Sequence, residues 1–171
     1  VKKRCVNKIY KDELYASFKE TGLEYGKGFQ TIEELVYNDT EALSLLQLPS
    51  HLKDSFDDFT LHPSLMDSAL QTAAGLMQER ERHRLLLPFS LGSTQIIKPL
   101  TKECYAYVKT TKTGHVKTFD IQLTDLSGNI LVQMHDFAVR AVSDADAYDT
   151  DTLYFKPVWE KKDTEAQSHK G

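Results

Sequence analysis

One apolar segment constrains the fold of this chain more than any other feature of the sequence. It starts at Pro63 and runs to about Arg80, and its apolar residues cover more than one stripe of a helix. Pro63 suits the first turn of a helix because its missing N–H would have no hydrogen-bond partner there. A helix that is apolar over so much of its surface is usually buried, so we predict a core helix here. The apolar positions are Leu65, Met66, Ala69, Leu70, Ala73, Ala74, Leu76 and Met77.

The rest of the sequence favours short strands separated by turns. A short amphipathic helix is predicted from Lys11 to about Glu20. Two strands, residues 30–37 and 42–48, flank the turn-favouring pair Asn38-Asp39. The predicted fold class is therefore α+β, with a meander of antiparallel strands after one buried helix. The remaining predictions are a surface loop over 49–60, strand-like runs over 86–97, 103–110, 117–126 and 130–142, and turns at 112–114 and 127–129.

Length and charge limit the classes of function. The 171 residues suit one ordinary domain. They carry 21 Lys and Arg against 25 Asp and Glu, a net charge of −4 with neutral histidines, so no dominant basic face for a nucleic acid is expected. The longest apolar run, residues 85–89, is far shorter than the roughly 20 residues that span a bilayer, and the N-terminus lacks the apolar stretch of a signal peptide. We expect a cytoplasmic protein with no membrane partner.

The two cysteines give no signal for a site. Cys5 and Cys104 are far apart in the sequence and lie in no C-x-x-C or Cys/His spacing. Neither a disulfide framework nor a zinc site is therefore predicted, and no metal is expected. Free thiols fit a reducing compartment.

The two ends of the sequence indicate a longer protein. The first residue is Val1 rather than Met. Residues 143–152 are rich in Asp, Ala, Ser and Thr, which predicts a linker. The apolar run over 153–159 then predicts the start of a following domain. We therefore divide the chain into a folded unit over 1–142 and a linker with the start of another domain over 143–171.

Two polar residues interrupt the apolar helix at a spacing that places them side by side. Asp67 and Gln71 are four residues apart, so their side chains share one helix face. A carboxyl group is costly to bury unless it is paired, neutralised or used. Two interpretations remain open at this point: a satisfied structural hydrogen bond between the two side chains, or a catalytic pair.

Four ordered motifs together resemble the dehydratase domains of modular polyketide synthases. His62-Pro63-x-x-x-Asp67-x-x-x-Gln71 resembles the family signature H-P-x-x-x-D-x-x-x-Q/H. The segment 24–30, Glu-Tyr-Gly-Lys-Gly-Phe-Gln, is similar to the family's Y-G-P-x-F-Q motif, and residues 87–90 are similar to L-P-F-S. Residues 153–159 resemble the opening strand of the ketoreductase region that often follows. Lys27 departs from the usual Pro and Leu91 from a common Trp, which puts the pocket shape in doubt more than the activity.

The resemblance implies a hotdog fold, in which a curved antiparallel sheet wraps around one long central helix. Family members carry two hotdogs side by side, and this chain resembles the second, C-terminal one. The general base of the family is a His in an H-x-x-x-G-x-x-x-x-P motif on the first hotdog, and that motif is absent from this sequence. The expected partner is therefore an upstream hotdog half that bears the His. Homodimers are frequent in the family and are a further possibility.

The implied reaction is loss of water from a 3-hydroxyacyl thioester on an acyl carrier protein, which makes the chain part of a hydro-lyase. The upstream His would remove the proton next to the thioester carbonyl, and Asp67 would protonate the leaving hydroxyl as general acid. Gln71 would hold the substrate hydroxyl or orient the Asp67 carboxyl. No bound cofactor is expected, since the substrate rides on the phosphopantetheine of the carrier protein. The segment alone is expected to be inactive.

Alternative functions remain open on the same scaffold. One is ring closure by a pyran-forming cyclase, and another is double-bond isomerisation, which retention of Asp67 disfavours. The third is a non-catalytic docking or structural domain. Three basic residues beyond the helix would either meet the acidic carrier protein and its phosphopantetheine phosphate or form a solvated helix end; they are Arg80, Arg82 and Arg84.

Seven further residues are candidates for binding substrate or shaping the site. Tyr25 either hydrogen-bonds near the site or packs in the core with Phe29, and Gly26 allows a close backbone approach or a positive φ. His62 either orients Asp67 or caps the helix that Pro63 begins. Pro88 either lines an acyl channel or interrupts a loop. The full set is Tyr25, Gly26, Phe29, His62, Pro63, Leu87 and Pro88.

Overall fold

The computed structural model describes residues 1–77, 86–114 and 116–141. Within these ranges the chain forms one eight-stranded sheet in which every pair of neighbouring strands is antiparallel. The order across the sheet is β1-β2-β3-β6-β7-β8-β4, and β5 also pairs with β8. The strands are β1 (Asn7–Tyr10), β2 (Ile32–Tyr37), β3 (Glu41–Gln47), β4 (Leu86–Ser90), β5 (Ser93–Ile96), β6 (Glu103–Lys112), β7 (Val116–Thr124) and β8 (Ile130–Ala141).

Two α-helices accompany the sheet. Helix α1 (Lys11–Glu20) follows β1 directly, and helix α2 (Pro63–Gln71) continues as a 3₁₀ turn over Thr72–Leu76. Other 3₁₀ turns lie at Lys27–Phe29, Ser50–Leu52 and Phe56–Asp58. Helix α2 contacts the central strands β3, β6 and β7, so the sheet covers it as predicted for a core helix.

Alternation along the central strands explains why α2 is buried. In β7 the side chains of Phe119, Ile121 and Leu123 are fully buried, and the residues between them are only partly buried. This period of two places one face of the sheet against the helix. From the helix side, Leu65 and Ala69 are likewise fully buried in the same core. The apolar faces of helix and sheet therefore form a single core.

The predicted elements agree with the structure, with four corrections. Strand β1 was not predicted, because three of its four residues are exposed and it carries no apolar alternation. The predicted strand over 86–97 is two strands, β4 and β5, which both pair with β8. Gly92 lies between them, and its N–H donates to the His135 carbonyl at 3.1 Å. The loop over 49–60 contains the two 3₁₀ turns named above.

The fourth correction concerns the end of the core helix. The α-helix ends at Gln71 and the 3₁₀ turn ends at Leu76, short of the predicted limit near Arg80. Gly75 lies so close to β2 and β3 that an added Cβ would be 3.1 Å from the Leu35 side chain and 3.2 Å from that of Tyr37. The tighter turn thus packs directly against the sheet.

Several predictions fall on residues outside the described ranges. They are the basic residues Arg80, Arg82 and Arg84, the linker over 143–152 and the apolar run over 153–159. The division between a unit over 1–142 and a following segment therefore stays a prediction.

Among the described residues, Cys5 and Cys104 are buried free thiols. No cluster of metal-ligating side chains was found there. None of the helices in those ranges has the length and apolarity needed to cross a membrane.

Candidate active site

The candidate site begins at the N-terminus of α2. Pro63 occupies the first turn, as predicted, and His62 is the N-cap. The His62 Nδ1 accepts a hydrogen bond from the Ser64 backbone N–H at 3.3 Å. The imidazole is only 2 % exposed and lies between the rings of Phe56 and Phe59. Of the two predicted roles of His62, the structure therefore shows the helix cap, since its side chain bonds to the Ser64 backbone N–H and not to Asp67.

Burial also sets the charge of His62. It lowers the pKa of the imidazole, because the charged form loses solvation. With Nδ1 accepting from the backbone, the proton of the neutral ring lies on Nε2. The Nε2 atom is buried and has no hydrogen-bond partner among the described residues, so the bond at Nδ1 is what supports a structural role at the start of α2.

Asp67 and Gln71 meet on one face of α2, as their spacing predicts. The Gln71 Nε2 donates to Asp67 Oδ2 at 2.7 Å and to the Phe29 carbonyl at 3.1 Å. The Gln71 side chain is buried, with the residue 5 % exposed, and Asp67 is half-buried. The hydrogen bond fits one of the two roles expected for Gln71, which is to orient the Asp67 carboxyl.

A third side chain completes this hydrogen-bond cluster. The hydroxyl of Tyr15, on α1, lies 3.0 Å from Gln71 Oε1 and 3.3 Å from the Phe29 carbonyl. The backbone N–H of Ile32 donates to the same hydroxyl at 3.2 Å. Two helices and the loop before β2 thus converge on the amide of Gln71.

The surroundings of Asp67 favour its protonated form. Burial raises the pKa of Asp67, whereas the hydrogen bond from Gln71 acts in the opposite direction. Burial, followed by the nearby charge of Asp67, also raises the pKa of Tyr25 to about 12. A carboxyl group with a raised pKa can hold a proton that it later donates.

Asp67 lies on the wall of a cavity of about 180 Å³. The wall comes from β1, α1, the loop after α1, α2 with its 3₁₀ turn, β4 and β8, and is mainly apolar. Glu13 is a second carboxyl group on this wall, but it belongs to an exposed residue. Further lining residues include Leu14, Phe18, Tyr25, Leu70, Gln71, Ala74, Pro88 and Val139.

The structure separates the candidate site-shaping residues into two groups. Tyr25 and Pro88 line the cavity with Asp67. Pro88 does so from within strand β4, opposite Val139, and therefore does not interrupt a loop. Phe29 contributes its carbonyl group, which accepts from Tyr15, Ser68 and Gln71.

For three residues, the structure contradicts a predicted role: Phe29, Gly26 and Leu87. The Phe29 side chain is 41 % exposed and is not part of the core. Gly26 has φ −68° and no atom within 4 Å of an added Cβ, so neither a positive φ nor a close approach requires glycine there. Leu87 is 41 % exposed and is absent from the cavity wall, because alternation along β4 points it away from its neighbours Leu86 and Pro88.

Tyr15 is the residue of the cluster that the motifs did not single out. In the sequence it is one apolar position of an amphipathic helix, 56 residues before Gln71. The available signal was a polar hydroxyl on the buried face of that helix, since buried tyrosine hydroxyls usually have a partner.

Residues 1–148 match the family model described as the polyketide synthase dehydratase N-terminal domain. The chain belongs to the polyketide synthase dehydratase family. Polyketide synthase PksM of Bacillus subtilis is 30 % identical over 179 residues, which cover 94 % of this chain and 4 % of PksM. This chain therefore spans a small part of its curated relatives.

Solved dehydratases confirm the hotdog fold. A trans-AT polyketide synthase dehydratase domain from Brevibacillus brevis matches 81 % of this chain and 50 % of its own, with 32 % identity and a TM-score of 0.75. A CurK dehydratase in which His is replaced by Phe, described as an inactive mutant, matches 84 % of this chain and 51 % of its own, with 26 % identity and a TM-score of 0.75. This chain therefore spans about half of each solved dehydratase.

The family model does not confirm one expectation. It is described as an N-terminal domain, whereas the motifs predict the second, C-terminal hotdog. The family and the fold are established, and the assignment to one half of a double hotdog is not.

Proposed function

We propose that this chain is the Asp-bearing hotdog of a dehydratase that converts a 3-hydroxyacyl thioester into the enoyl thioester, with Asp67 as general acid. The observation that carries the proposal is the half-buried Asp67 carboxyl on the wall of a mainly apolar cavity, with Gln71 bonded to one of its oxygens. An apolar cavity suits an acyl chain, and burial favours the protonated acid.

The hydrogen bonds indicate which oxygen of Asp67 would carry the proton. Oδ2 accepts from Gln71 at 2.7 Å, so the transferable proton belongs on Oδ1. In the reaction, an upstream His takes the proton next to the thioester carbonyl, and the electron pair forms the new double bond. The C–O bond breaks, and the proton from Asp67 converts the departing hydroxyl to water.

Gln71 orients the acid rather than holding the substrate. Its amino group has two hydrogens, and both are used, toward Asp67 and toward the Phe29 carbonyl. Its oxygen faces the Tyr15 hydroxyl. The substrate hydroxyl could bind the amide only by displacing one of these partners.

The assignment to the second hotdog rests on three observations. The Asp67 motif is present, and the sequence contains no H-x-x-x-G-x-x-x-x-P motif for the base. The chain also spans only about half of the solved dehydratase chains. The inactive His→Phe mutant of CurK shows that a His is needed in that relative. We infer that the corresponding base here lies on a separate, upstream half.

The proposed partners follow from this reaction. They are the upstream half, an acyl carrier protein that presents the substrate on phosphopantetheine, a following ketoreductase region and a second copy in a homodimer. No bound cofactor or metal is part of the proposal. A cytoplasmic location and the absence of nucleic-acid and membrane partners also belong to the proposal.

Mass-detected loss of water from a 3-hydroxyacyl carrier protein tests the function. The chain is joined to its native upstream sequence and compared with the same protein carrying Asp67→Asn. Loss in the parent and not in the variant supports the dehydratase. No loss in either folded protein, over several acyl chains, would instead favour a cyclase or a non-catalytic scaffold.

The isolated chain provides a second test. Because one of the two proton-transfer groups is assigned to the upstream half, the 171 residues alone should not release water from the same substrate. Dehydration by the purified chain alone would contradict the division of roles between two hotdogs.

A further inference from the structure

The Tyr15 hydroxyl lies at the centre of the cluster that holds Gln71. Tyr15 is 9 % exposed, and its hydroxyl lies 3.2 Å from the Ile32 N–H, 3.0 Å from Gln71 Oε1 and 3.3 Å from the Phe29 carbonyl. The Ser68 side chain is a fourth hydrogen-bond partner of this hydroxyl. The pKa of Tyr15 is raised to about 12, chiefly by burial, so the phenol keeps its proton at neutral pH.

The hydrogens available on each group determine the direction of these hydrogen bonds. The Ile32 N–H can only donate, so the Tyr15 oxygen accepts it. The Ser68 hydroxyl acts on the Tyr15 pKa as a donor, so the single phenolic proton points at a carbonyl oxygen, and Gln71 Oε1 is nearer than the Phe29 carbonyl. With its oxygen bound to Tyr15, the amide presents both N–H groups to its other partners.

The alternative orientation of the Gln71 amide is excluded by the same partners. If the amide were turned over, its oxygen would lie 3.1 Å from the Phe29 carbonyl, which is another acceptor. It would also face Asp67 Oδ2 at 2.7 Å. Tyr15 and the Phe29 carbonyl therefore hold the amide from two sides in the orientation that donates to Asp67.

We propose that Tyr15 is a positioning residue for Asp67, which acts by holding the Gln71 amide as a hydrogen-bond donor to the Asp67 carboxyl. The proposal rests on the function of Asp67 proposed above. The hydroxyl and the ring of Tyr15 have separate contacts. The ring packs against Phe18 and Tyr25, with centroid distances of 5.9 and 6.1 Å, and these contacts do not require the hydroxyl. A phenylalanine would keep those ring contacts.

Carboxyl ¹³C NMR titration of Asp67 in the full chain tests the coupling without requiring any activity. Without the hydroxyl, the Gln71 oxygen loses its donor, and only the Phe29 carbonyl still holds the amide beside Asp67. The hydrogen bond from Gln71 to Asp67 should therefore weaken. Tyr15→Phe should therefore move the Asp67 titration to higher pH, because a donor to the carboxylate has been weakened. An unchanged titration would overturn the proposal.

A double-mutant cycle shows whether the effect passes through Gln71. Gln71→Leu removes the amide and should also move the Asp67 titration to higher pH. In that background, Tyr15→Phe should cause no additional change. An equal change in both backgrounds would mean that Tyr15 acts on Asp67 by another route, which contradicts the proposal.

A gentler variant covers the case in which Tyr15→Phe does not fold, since it leaves the buried Ile32 N–H without its acceptor. Replacing Tyr15 by 3-fluorotyrosine keeps the hydroxyl and makes it a stronger donor. Stronger donation to the amide oxygen polarises the N–H groups of Gln71. The Asp67 titration should then move to lower pH, and movement to higher pH would refute the mechanism.

Kinetics in the chain joined to its upstream sequence separate this inference from the proposed function. Tyr15→Phe should lower kcat by about 10-fold, because the Asp67 carboxyl is no longer held in position. It should also move the alkaline limb of the pH profile to higher pH, because Asp67 must be protonated to act. A merely structural role would lower activity without moving the limb. If the Asp67 titration responds as expected but the parent releases no water, the positioning role stands and the proposed function fails.

Discussion

Replacing Asp67 by Asn separates the chemical role of this side chain from its structural role. An Asn side chain has nearly the same shape, and its amide oxygen can accept the Gln71 hydrogen bond that Asp67 Oδ2 accepts at 2.7 Å. It cannot donate an acid proton. General acid catalysis contributes about 10²–10⁴-fold to a rate, so we expect kcat for water loss to fall by about that factor.

The same substitution should not destabilise the fold at neutral or alkaline pH. Burial raises the pKa of Asp67 above its ordinary value of 3.8, which means that folding disfavours the ionised carboxylate. This penalty is absent below the unfolded-state pKa, grows as the pH rises, and is complete above the folded-state pKa. Each unit by which the folded-state pKa exceeds the unfolded-state pKa lowers the free energy of unfolding of the wild type by about 1.4 kcal/mol.

Urea unfolding at pH 4 and pH 8 measures this difference. Relative to the wild type, Asp67→Asn should be more stable at pH 8 than at pH 4, because the uncharged amide avoids the penalty. An inactive variant that is not destabilised is the signature of a catalytic acid. Retention of more than a tenth of kcat, or a loss of stability that appears only at pH 8, would refute the reasoning.

Three further predictions concern the scaffold around the site. Hydrogen bonds from Arg4 hold the pKa of Glu41 at about 2. The stability advantage of the wild type over Glu41→Gln should therefore be complete above pH 4.5 and decline as the pH falls toward 2. A difference in thermal unfolding that does not change with pH would contradict this. Gly92→Ala should lower the free energy of unfolding, measured in urea, by about 1–3 kcal/mol, since the new Cβ would lie 3.1 Å from the His135 backbone carbonyl. A variant as stable as the wild type would disprove that contact. Gly26→Ala should be neutral or stabilising by up to about 1 kcal/mol, because φ is −68° and the space is open; clear destabilisation would restore the predicted need for glycine.

Local patterns predicted the elements that depend on neighbouring residues. Helix α1 has the predicted bounds, and α2 begins at Pro63 as expected, because the missing N–H and fixed φ of proline act within one turn. The spacing of Asp67 and Gln71 predicted that their side chains would meet, since residues four apart lie on one helix face. The resemblance to the dehydratase family came from the four ordered motifs rather than from the periodicity of apolar residues.

Features that depend on distant parts of the chain were missed. Strand β1 exists because its backbone pairs with β2, and its mostly exposed side chains leave no pattern. The division of residues 86–97 into β4 and β5 depends on their shared pairing with β8. Neither pairing is encoded within the segments themselves.

The sequence by itself determined a buried helix, an antiparallel sheet and a carboxyl–amide pair on one helix face. Only the tertiary structure decided what that pair can do. It placed Asp67 on a cavity wall, oriented Gln71 by the Phe29 carbonyl and the hydroxyl of Tyr15, and assigned His62 to the helix end. The physical reason is distance along the chain: helix periodicity acts over one turn, whereas the hydrogen bond between Tyr15 and Gln71 joins residues 56 positions apart and forms only when the two helices pack.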